Sequence, residues 1–454
     1  MSKTEQPTHG SQVLLRQPEG RPDRVEELRL LKRTFLIMCV AFSLNHATVT
    51  TPFVYSSSVL QHSVGYIGNA ILNFGTMLCS LFVAPFVNST IGSKGSMLVG
   101  MVLYAVYVIC AAIAAATCGD YDSGKGKCEA ATAAQWIFFA GGSVVGGLGA
   151  GILWLGEGAY FAATAERVAA LEGRPTMDLT KELAAQFAAF YLAFEVIAKL
   201  SATALEKVGM SYAAIFLVYA GLAVVAAIMF TQASKVESAS AGAPLSVCGK
   251  AMTAVALWPD VKIWLLAFTN LTFGFAAAFM NGYVNSNYTT PELGSGYIGT
   301  LTAITATVAA VGALAFSRLP SKQAAVFIGS LCFMAIALIC IANKAGWLHL
   351  SGWNWGLVTL YILQGLGRGV YESTNKGIFA DVFPGAASPG AFGNCMMQST
   401  FAFTLCFLFS DFLAPALVWI VLVLGMLTTP GLFLALAVKR GEDALTALRQ
   451  HHCC

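Results

Sequence analysis

The chain has 454 residues, of which 57% are hydrophobic and only 11% are charged, and its mean hydropathy is +0.69. Soluble domains carry about 25% charged residues, so the composition excludes an ordinary soluble protein and predicts one that crosses the lipid bilayer several times. The net charge of +3 says little about partners, and no pattern of residues predicts a nucleic-acid surface.

The N-terminal tail, residues 1–33, is polar and charged and contains no apolar segment typical of a cleavable signal peptide. Its last part, residues 21–33, can form a short amphipathic helix beside the membrane. The first apolar run begins at Thr34 and is long enough to span, so we expect it to insert and to remain in the chain.

Twelve mostly apolar runs of about 20 or more residues follow, and each predicts a transmembrane helix. Their approximate limits are 34–55, 65–87, 95–117, 133–160, 182–204, 210–231, 261–284, 296–316, 323–343, 354–380, 390–411 and 414–438. Polar connections at 88–94 and 164–181 separate some of them. The longest connection, 232–260, divides the spans into two six-helix halves, 34–231 and 261–438, and leaves a C-terminal tail at 439–454.

Lysine and arginine are concentrated in the tails and in the loops on one side of these spans. The loops on the opposite side hold only Lys125, Lys127, Lys207 and Lys344. Because positive charge favours the cytosolic side, the sequence predicts that both termini are cytosolic.

This topology places the loop between Cys118 and Cys128 outside the cytosol, where a disulfide can form. The sequon at Asn287 also lies on the outer side, close to the membrane, and is a candidate for glycosylation.

Two short motifs recur at equivalent places in the halves. GYIG opens span 2 at Gly65 and span 8 at Gly296, and G-L-G-x-G occurs at 147–151 in span 4 and at 365–369 in span 10. Glycines at this spacing let helices approach closely, so packing is the simplest interpretation. The arrangement is typical of the parallel six-helix repeats of the major facilitator superfamily.

Three stretches resemble the UNC-ninety-three-like branch of that superfamily, whose members are commonly labelled ion channel regulatory proteins. They are LFVAPFVNSTIGSKGSMLVGMVLYAVYV at 81–108, GAGILWLGEGAYF in span 4 and GLGRGVYESTNKGIFAD in span 10. The resemblance covers most of residues 34–438. It implies a twelve-helix major facilitator fold and a role in regulating or trafficking a partner, such as a potassium channel or an innate immune receptor.

The chain departs from classical facilitator transporters at two motifs. Pro85 and Ser89 stand where the loop after span 2 usually has its first glycine and its aspartate, and Ser143 and Tyr361 stand where the span-4 motif usually has an arginine. The usual gating salt bridge and the arginine linked to proton coupling are therefore absent from these positions.

Span 10 carries Arg368, Glu372 and Lys376 at i, i+4 and i+8, which places them along one helix face. Each unpaired charge at mid-membrane costs about 2.5–3.5 kcal/mol on insertion scales. This face therefore predicts either a substrate or gating site that faces a cavity, or a structural ion network that joins the halves with Lys376 reaching the cytosolic edge.

Further polar residues lie in helices that are expected to line the cavity. Glu157 in span 4 is a candidate proton relay or an ion-pair partner of Arg167. His46 and Asn45 in span 1 are candidates for substrate contact, although a lone intramembrane histidine more often serves as hydrogen-bonded packing. Glu195 and Lys199 in span 5 form an i,i+4 ion pair, and a self-neutralised pair of this kind needs no ligand.

No metal site, cofactor motif or nucleophile with an adjacent base is evident, so we expect a non-enzymatic membrane protein. Two functions remain in competition: a regulator of an ion channel or receptor, and a secondary transporter of a small polar or anionic solute. The altered loop motif favours the first, and the charged face of span 10 favours the second. The sequence does not distinguish the plasma membrane from an endosomal or vacuolar membrane.

Overall fold

The computed structural model describes residues 24–122, 127–236, 252–384 and 387–452. These residues form a helical bundle and one two-stranded hairpin. The helices are α1 (Arg24–Val59), α2 (His62–Leu78), α3 (Ala84–Ala116), α4 (Ala133–Glu172), α5 (Thr176–Lys207), α6 (Tyr212–Thr231), α7 (Val261–Phe279), α8 (Thr290–Leu293), α9 (Ile298–Phe316), α10 (Lys322–Lys344), α11 (Val358–Val370), α12 (Lys376–Val382), α13 (Ser388–Phe409) and α14 (Ala414–His452). The strands are β1 (Cys118–Asp122) and β2 (Lys127–Ala131).

Short π-helical and 3₁₀ segments interrupt the helices. The π-helical segments are Cys79–Val83, Met280–Thr289 and Tyr371–Asn375, and the 3₁₀ segments are Ser295–Tyr297 and Asn354–Leu357. Two of the three π segments connect directly to helices that carry polar residues, α7 and α11. Such segments occur frequently at functional sites.

Ten of the described segments are long and apolar enough to cross a membrane. One of them, His62–Ala116, has 55 residues, and two helices meet within it at Gly92, where φ is 75°. About 20 residues suffice for one crossing, so this segment is long enough for two. The stretch from Val358 to Val382, which contains Arg368, Glu372 and Lys376, is not among the ten. The described chain is thus a membrane bundle of about ten to twelve apolar helices.

Three expected connections differ from the structure. The predicted loop at 88–94 is helical, apart from the break at Gly92. The predicted polar connection at 164–181 is mostly helix, because α4 continues to Glu172 and α5 begins at Thr176. The predicted juxtamembrane helix is continuous with span 1, since α1 begins at Arg24. In each case the polar residues form the ends of long helices that extend beyond the apolar segment.

The apolar core divides at the undescribed segment 237–251. We call residues 24–236 the first half and residues 252–452 the second half. The largest cluster of buried side chains lies in the first half and includes only Ile298 from the second. A second cluster belongs to the second half and includes Tyr66 and Ala70 from the first. Each half therefore packs mainly against itself.

Close helix packing explains the repeated glycine motif. A Cβ added to Gly147 in α4 would lie 2.7 Å from the carbonyl oxygen of Leu72 in α2. A Cβ added to Gly365 in α11 would lie equally close, 2.7 Å, to the carbonyl oxygen of Thr305 in α9. Glycine at both positions lets two backbones approach in a way that any side chain would prevent.

One end of the bundle carries the antiparallel β1–β2 hairpin, and we call it the hairpin end. A disulfide between Cys118 and Cys128 joins the two strands. The hydroxyl of Thr132 caps α4 by accepting a hydrogen bond from the Gln135 backbone N–H at 3.1 Å. This cap fixes the start of α4 directly after the hairpin.

Candidate functional site

Four charged side chains from both halves meet in the middle of the bundle. Arg368 of α11 donates two hydrogen bonds to the Glu195 carboxylate of α5, from Nη1 at 2.7 Å and from Nη2 at 2.8 Å. Arg368 Nε donates to Glu372 Oε1 at 2.7 Å, and Lys199 Nζ lies 2.5 Å from Glu195 Oε1. We call Glu195, Lys199, Arg368 and Glu372 the central ion cluster.

The central ion cluster is buried unevenly. The side chains of Glu195 and Lys199 are 4% and 6% exposed, whereas those of Arg368 and Glu372 are 14% and 29% exposed. A bidentate arginine–carboxylate pair is among the strongest ion pairs that proteins form. Removing one member of such a buried pair costs far more than the intact pair contributes, because the remaining charge is left without a partner.

The cluster joins two pairs that the sequence shows separately. The spacing of Glu195 and Lys199 suggested a self-neutralised pair, and Arg368 and Glu372 suggested a charged face on another helix. In the structure Glu195 is shared between Lys199 and Arg368, so neither pair is self-contained. No sequence spacing relates residue 195 to residue 368, and only the packing of the halves brings them together.

Lys376 lies apart from the central ion cluster. Its side chain is exposed, and none of the ion pairs described here includes it. The π segment Tyr371–Asn375 stands between Arg368 and Lys376 and changes the helical spacing on this face. Lys376 is close enough to the buried Glu157 carboxylate for a coulombic interaction between them.

Glu157 does not pair with Arg167, which was one of the expected partners. Arg167 instead binds Glu27 of α1, with 2.6 Å between Nη2 and Oε1. Glu157 itself is only 9% exposed within the described bundle. A buried carboxylate facing a single lysine of the other half is a candidate site for proton or cation exchange.

His46 lies within a group of aromatic rings beside the central ion cluster. Its ring centroid is 5.2 Å from those of Trp154 and Tyr191, 5.9 Å from Phe42 and 6.3 Å from Tyr104. We call these five residues the His46 ring cluster. His46 Nε2 is 3.1 Å from the Tyr191 hydroxyl, and its buried Nδ1 has no hydrogen-bond partner among the described residues.

The His46 ring cluster adjoins the central ion cluster through α5. Tyr191 precedes Glu195 by one helical turn, so the two side chains lie on the same face of the helix. Asn45, the neighbour of His46, points elsewhere: its amide donates to the carbonyls of Met101 at 3.3 Å and Ala223 at 3.1 Å. Asn45 therefore ties α1 to α3 and α6, whereas His46 faces the rings.

Hydrogen bonds close the bundle between the halves at the hairpin end. The Gly299 N–H donates to the Tyr55 hydroxyl at 2.8 Å, and the Ser58 and Ser286 hydroxyl oxygens lie 3.3 Å apart. Within the second half, the Tyr361 hydroxyl donates to Asn285 Oδ1 at 2.5 Å at the same end. Further hydrogen bonds between the halves lie at this end, and two more lie at the central ion cluster.

Tyr361 occupies the position where a classical transporter motif usually has an arginine. Its hydroxyl lies 2.6 Å from the hydroxyl of Thr289 and also binds Asn285. Thr289 belongs to the Asn287 sequon and is fully buried, whereas Asn287 is exposed and its amide donates to the Tyr283 carbonyl at 2.9 Å. The tyrosine thus stabilises the closed hairpin end.

A second polar network lies within the second half and was not identified from the sequence. The Asn375 amide donates to Asn270 Oδ1 at 2.8 Å, and the Asn270 amide donates to Gln398 Oε1 at 2.7 Å. These residues link α7, the π segment before α12, and α13. These two hydrogen bonds tie the three elements together, while the buried Asn375 Oδ1 has no hydrogen-bond partner among the described residues. Within the described ranges, no three histidine, cysteine or acidic side chains are grouped to hold a metal ion.

Comparisons with solved structures identify the fold. The chain superimposes on the D-xylose–proton symporter with a TM-score of 0.60 at 12% identity, covering 90% of this chain and 96% of that chain. It superimposes on the nucleoside transporter NupG with a TM-score of 0.59 at 11% identity, covering 91% and 99% of the two chains. The inward-open xylose transporter XylE from E. coli gives a TM-score of 0.60 at 11% identity, covering 90% and 96%.

These likenesses define the class: the chain is a multi-pass membrane protein with the major facilitator fold. No family model matches the chain. Its sequence is 22% identical over 432 residues to protein unc-93 homolog A of Mus musculus, a match that covers 85% of this chain and 88% of that protein. The chain is therefore similar in sequence to an unc-93 protein and similar in fold to facilitator transporters, which confirms the resemblance predicted from the sequence.

Proposed function

We propose that this protein is a secondary transporter that moves a small solute by alternating access, with the central ion cluster at its binding site. The observation that carries the proposal is the bidentate pair between Glu195 and Arg368, which joins the halves inside the bundle. The 29% exposure of the Glu372 side chain supports a site that a solute can reach. Intramembrane ionisable residues in such positions usually serve a pathway.

Two further features support alternating access. The halves have largely separate cores, so they can move as bodies. Hydrogen bonds between them lie at the hairpin end and at the centre, which is the arrangement expected of a state that opens toward the other end. We infer that Glu157, His46 and Lys376 border the route between the central ion cluster and that open end.

The topology is part of this proposal. We propose twelve spans, with the segment from His62 to Ala116 crossing twice and the stretch from Val358 to Val382 crossing once, and two six-helix halves at 34–231 and 261–438. Both termini, 1–33 and 439–454, are then cytosolic, and the central connection 232–260 is too. Labelling an epitope at either terminus from outside intact cells would refute this topology. Glycosylation at Asn287 and the membrane of residence remain predictions that the same cells can test.

The transport proposal is tested by uptake into vesicles that contain the purified chain, with a panel of small anions and amino acids. Arg368→Lys keeps the positive charge but loses the bidentate geometry, so we expect uptake to fall by about tenfold or more. Arg318→Gln removes an exposed arginine outside the central ion cluster and serves as the control. Failure of the wild-type protein to take up any member of the panel counts against transport.

A second candidate function is the regulation or trafficking of a membrane partner, such as a potassium channel or a receptor. The observation that favours it is the altered motif at the start of α3, where Pro85 and Ser89 stand in place of the glycine and aspartate of the usual gating motif. In that case the central ion cluster joins the halves structurally. Affinity capture of a channel or receptor from membranes, combined with no uptake by the wild-type protein, would favour this function over transport.

A further inference from the structure

In the central ion cluster, the two cations have more hydrogen-bond donors than the two carboxylates fill. Lys199 has three donors and makes one ion pair, to Glu195, although its side chain is only 6% exposed. Arg368 has five donors and uses three of them on Glu195 and Glu372. Donors that remain unfilled in a buried site favour an additional acceptor. The cluster therefore has the chemistry of an anion site.

Glu372 is the member of the cluster that is held least firmly. It is 29% exposed and makes a single hydrogen bond to Arg368 Nε, whereas Glu195 is held by both Arg368 and Lys199. With Glu372 in place, two carboxylates balance two cations. Without it, the remaining three side chains carry one positive charge, which a monovalent anion would neutralise.

Lys376 provides an alternative partner for Glu372. It follows Glu372 by four residues, across the π segment Tyr371–Asn375, and its side chain is exposed. Glu372 stands between Arg368 on one side and Lys376 on the other, along the same stretch of chain. A carboxylate in this position can exchange one cation for the other by changing its side-chain rotamer, without a movement of the halves.

We propose that Arg368 and Lys199 form a binding site for a small organic monoanion, such as a carboxylate, and that Glu372 occupies this site until the anion displaces it toward Lys376. The His46 ring cluster lies one turn of α5 away, through Tyr191, and makes the surroundings of the site aromatic on that side. The inference rests on the proposed function in taking this anion as the transported solute, but the binding itself requires no transport.

The test is calorimetric titration of the full-length chain in lipid nanodiscs with benzoate, and with benzamide and benzylamine as neutral and cationic analogues. We expect the wild type to bind benzoate and not the analogues. Glu372→Gln removes the competing carboxylate and should bind benzoate about tenfold more tightly. Lys376→Gln removes the alternative partner of Glu372 and should bind benzoate several-fold more weakly.

Arg318→Gln and Asp411→Asn alter exposed charges elsewhere and should bind as the wild type does. Unchanged or weaker benzoate binding by Glu372→Gln, equal binding of benzamide, or no benzoate binding by any variant would overturn the inference. If Glu372→Gln does not fold, the benzoate affinity of Lys376→Gln tests the inference instead, because Lys376 is exposed and its replacement should leave the fold intact. If the protein binds benzoate but takes up no solute, the anion site is supported and the transport proposal fails. If it takes up a neutral solute but does not bind benzoate, transport is supported and the anion site fails.

Discussion

Glu195 is the single residue on which the central ion cluster depends. Its carboxylate accepts hydrogen bonds from Arg368 and Lys199, which belong to different halves, and its side chain is 4% exposed. This carboxylate compensates the charge of two cations that are buried in the bundle, where an unpaired charge is costly. The residue thus combines an electrostatic role within α5 with a connection between the halves.

Replacement of Glu195 by alanine should therefore destabilise the protein strongly. Breaking a buried ion pair from one side costs about 3–5 kcal/mol, because the partners remain as uncompensated charges. Glu182→Ala is the matched control, since Glu182 lies in the same helix and pairs with Arg174 while 62% exposed; an exposed pair contributes about 0–1 kcal/mol. Thermal unfolding in detergent measures both, and similar midpoints for the two variants would show that the cluster carries little stability.

At the scale of single side chains, the sequence predicted which charged residues form the central ion cluster and their contacts within each helix, but not the contact between the helices. The charges Arg368, Glu372, Glu195 and Lys199 stand out because ionisable residues are rare in apolar spans. Helical spacing then predicts contacts within one helix, and both i,i+4 pairs form. The contact between Glu195 and Arg368 depends on tertiary packing, which has no period in the sequence.

Among the secondary-structure elements, α4 illustrates how glycine spacing determines helix packing. Gly147 faces α2, where an added Cβ would lie 2.7 Å from the Leu72 carbonyl oxygen and 3.0 Å from Gly75 Cα. Gly141 of the same helix has no atom within 4 Å of the corresponding position. The two glycines share a helix and differ only in the face on which they lie.

Gly147→Ala should consequently destabilise the protein, and Gly141→Ala should not. Overpacking of this kind costs about 1–3 kcal/mol, since backbone atoms of α2 must move. Alanine at an open helical position favours the helix by about 1 kcal/mol over glycine. The comparison is made by thermal unfolding of the two variants in the same detergent. Equal midpoints would mean that α2 and α4 can separate without cost.

Element boundaries were the least predictable part of the fold. Hydropathy located the apolar part of each span, but α4 continues to Glu172 and α1 begins at Arg24, within stretches that appeared to be polar connections. The reason is that these polar ends bind one another: Arg167 pairs with Glu27, and Lys32 lies 2.7 Å from Glu172. Such ion pairs let a helix continue beyond the membrane, and hydropathy does not detect them.

For the whole molecule, the hairpin end determines how the halves are held together. Gly299 opens α9 of the second half and lies directly against the first half. A Cβ added there would be 2.5 Å from the Tyr55 hydroxyl oxygen and 2.6 Å from Thr203 Oγ1. The GYIG motif at Gly296 is therefore a contact between the halves. In its first copy, by contrast, Gly65 packs against Ser57 of its own half.

Gly299→Ala should weaken the closure of the hairpin end. We expect a loss of about 1–3 kcal/mol from overpacking, together with faster hydrogen exchange at residues 51–59 of α1. Gly312→Ala in the same helix is the control, because its nearest neighbouring atom would be 3.5 Å away. Faster exchange in both variants, or in neither, would show that Gly299 does not control this interface.

A covalent link across the hairpin end distinguishes a moving transporter from a fixed scaffold. The Ser58 and Ser286 hydroxyl oxygens lie 3.3 Å apart on α1 of the first half and the π segment of the second, so cysteines at both positions can form a disulfide. Alternating access requires these segments to separate, and oxidation of Ser58→Cys/Ser286→Cys should therefore reduce vesicle uptake by about tenfold or more. Reductant should restore uptake, whereas each single cysteine variant should behave as the wild type under both conditions. Full uptake by the cross-linked protein would show that the hairpin end stays closed throughout the cycle, which contradicts alternating access between these halves.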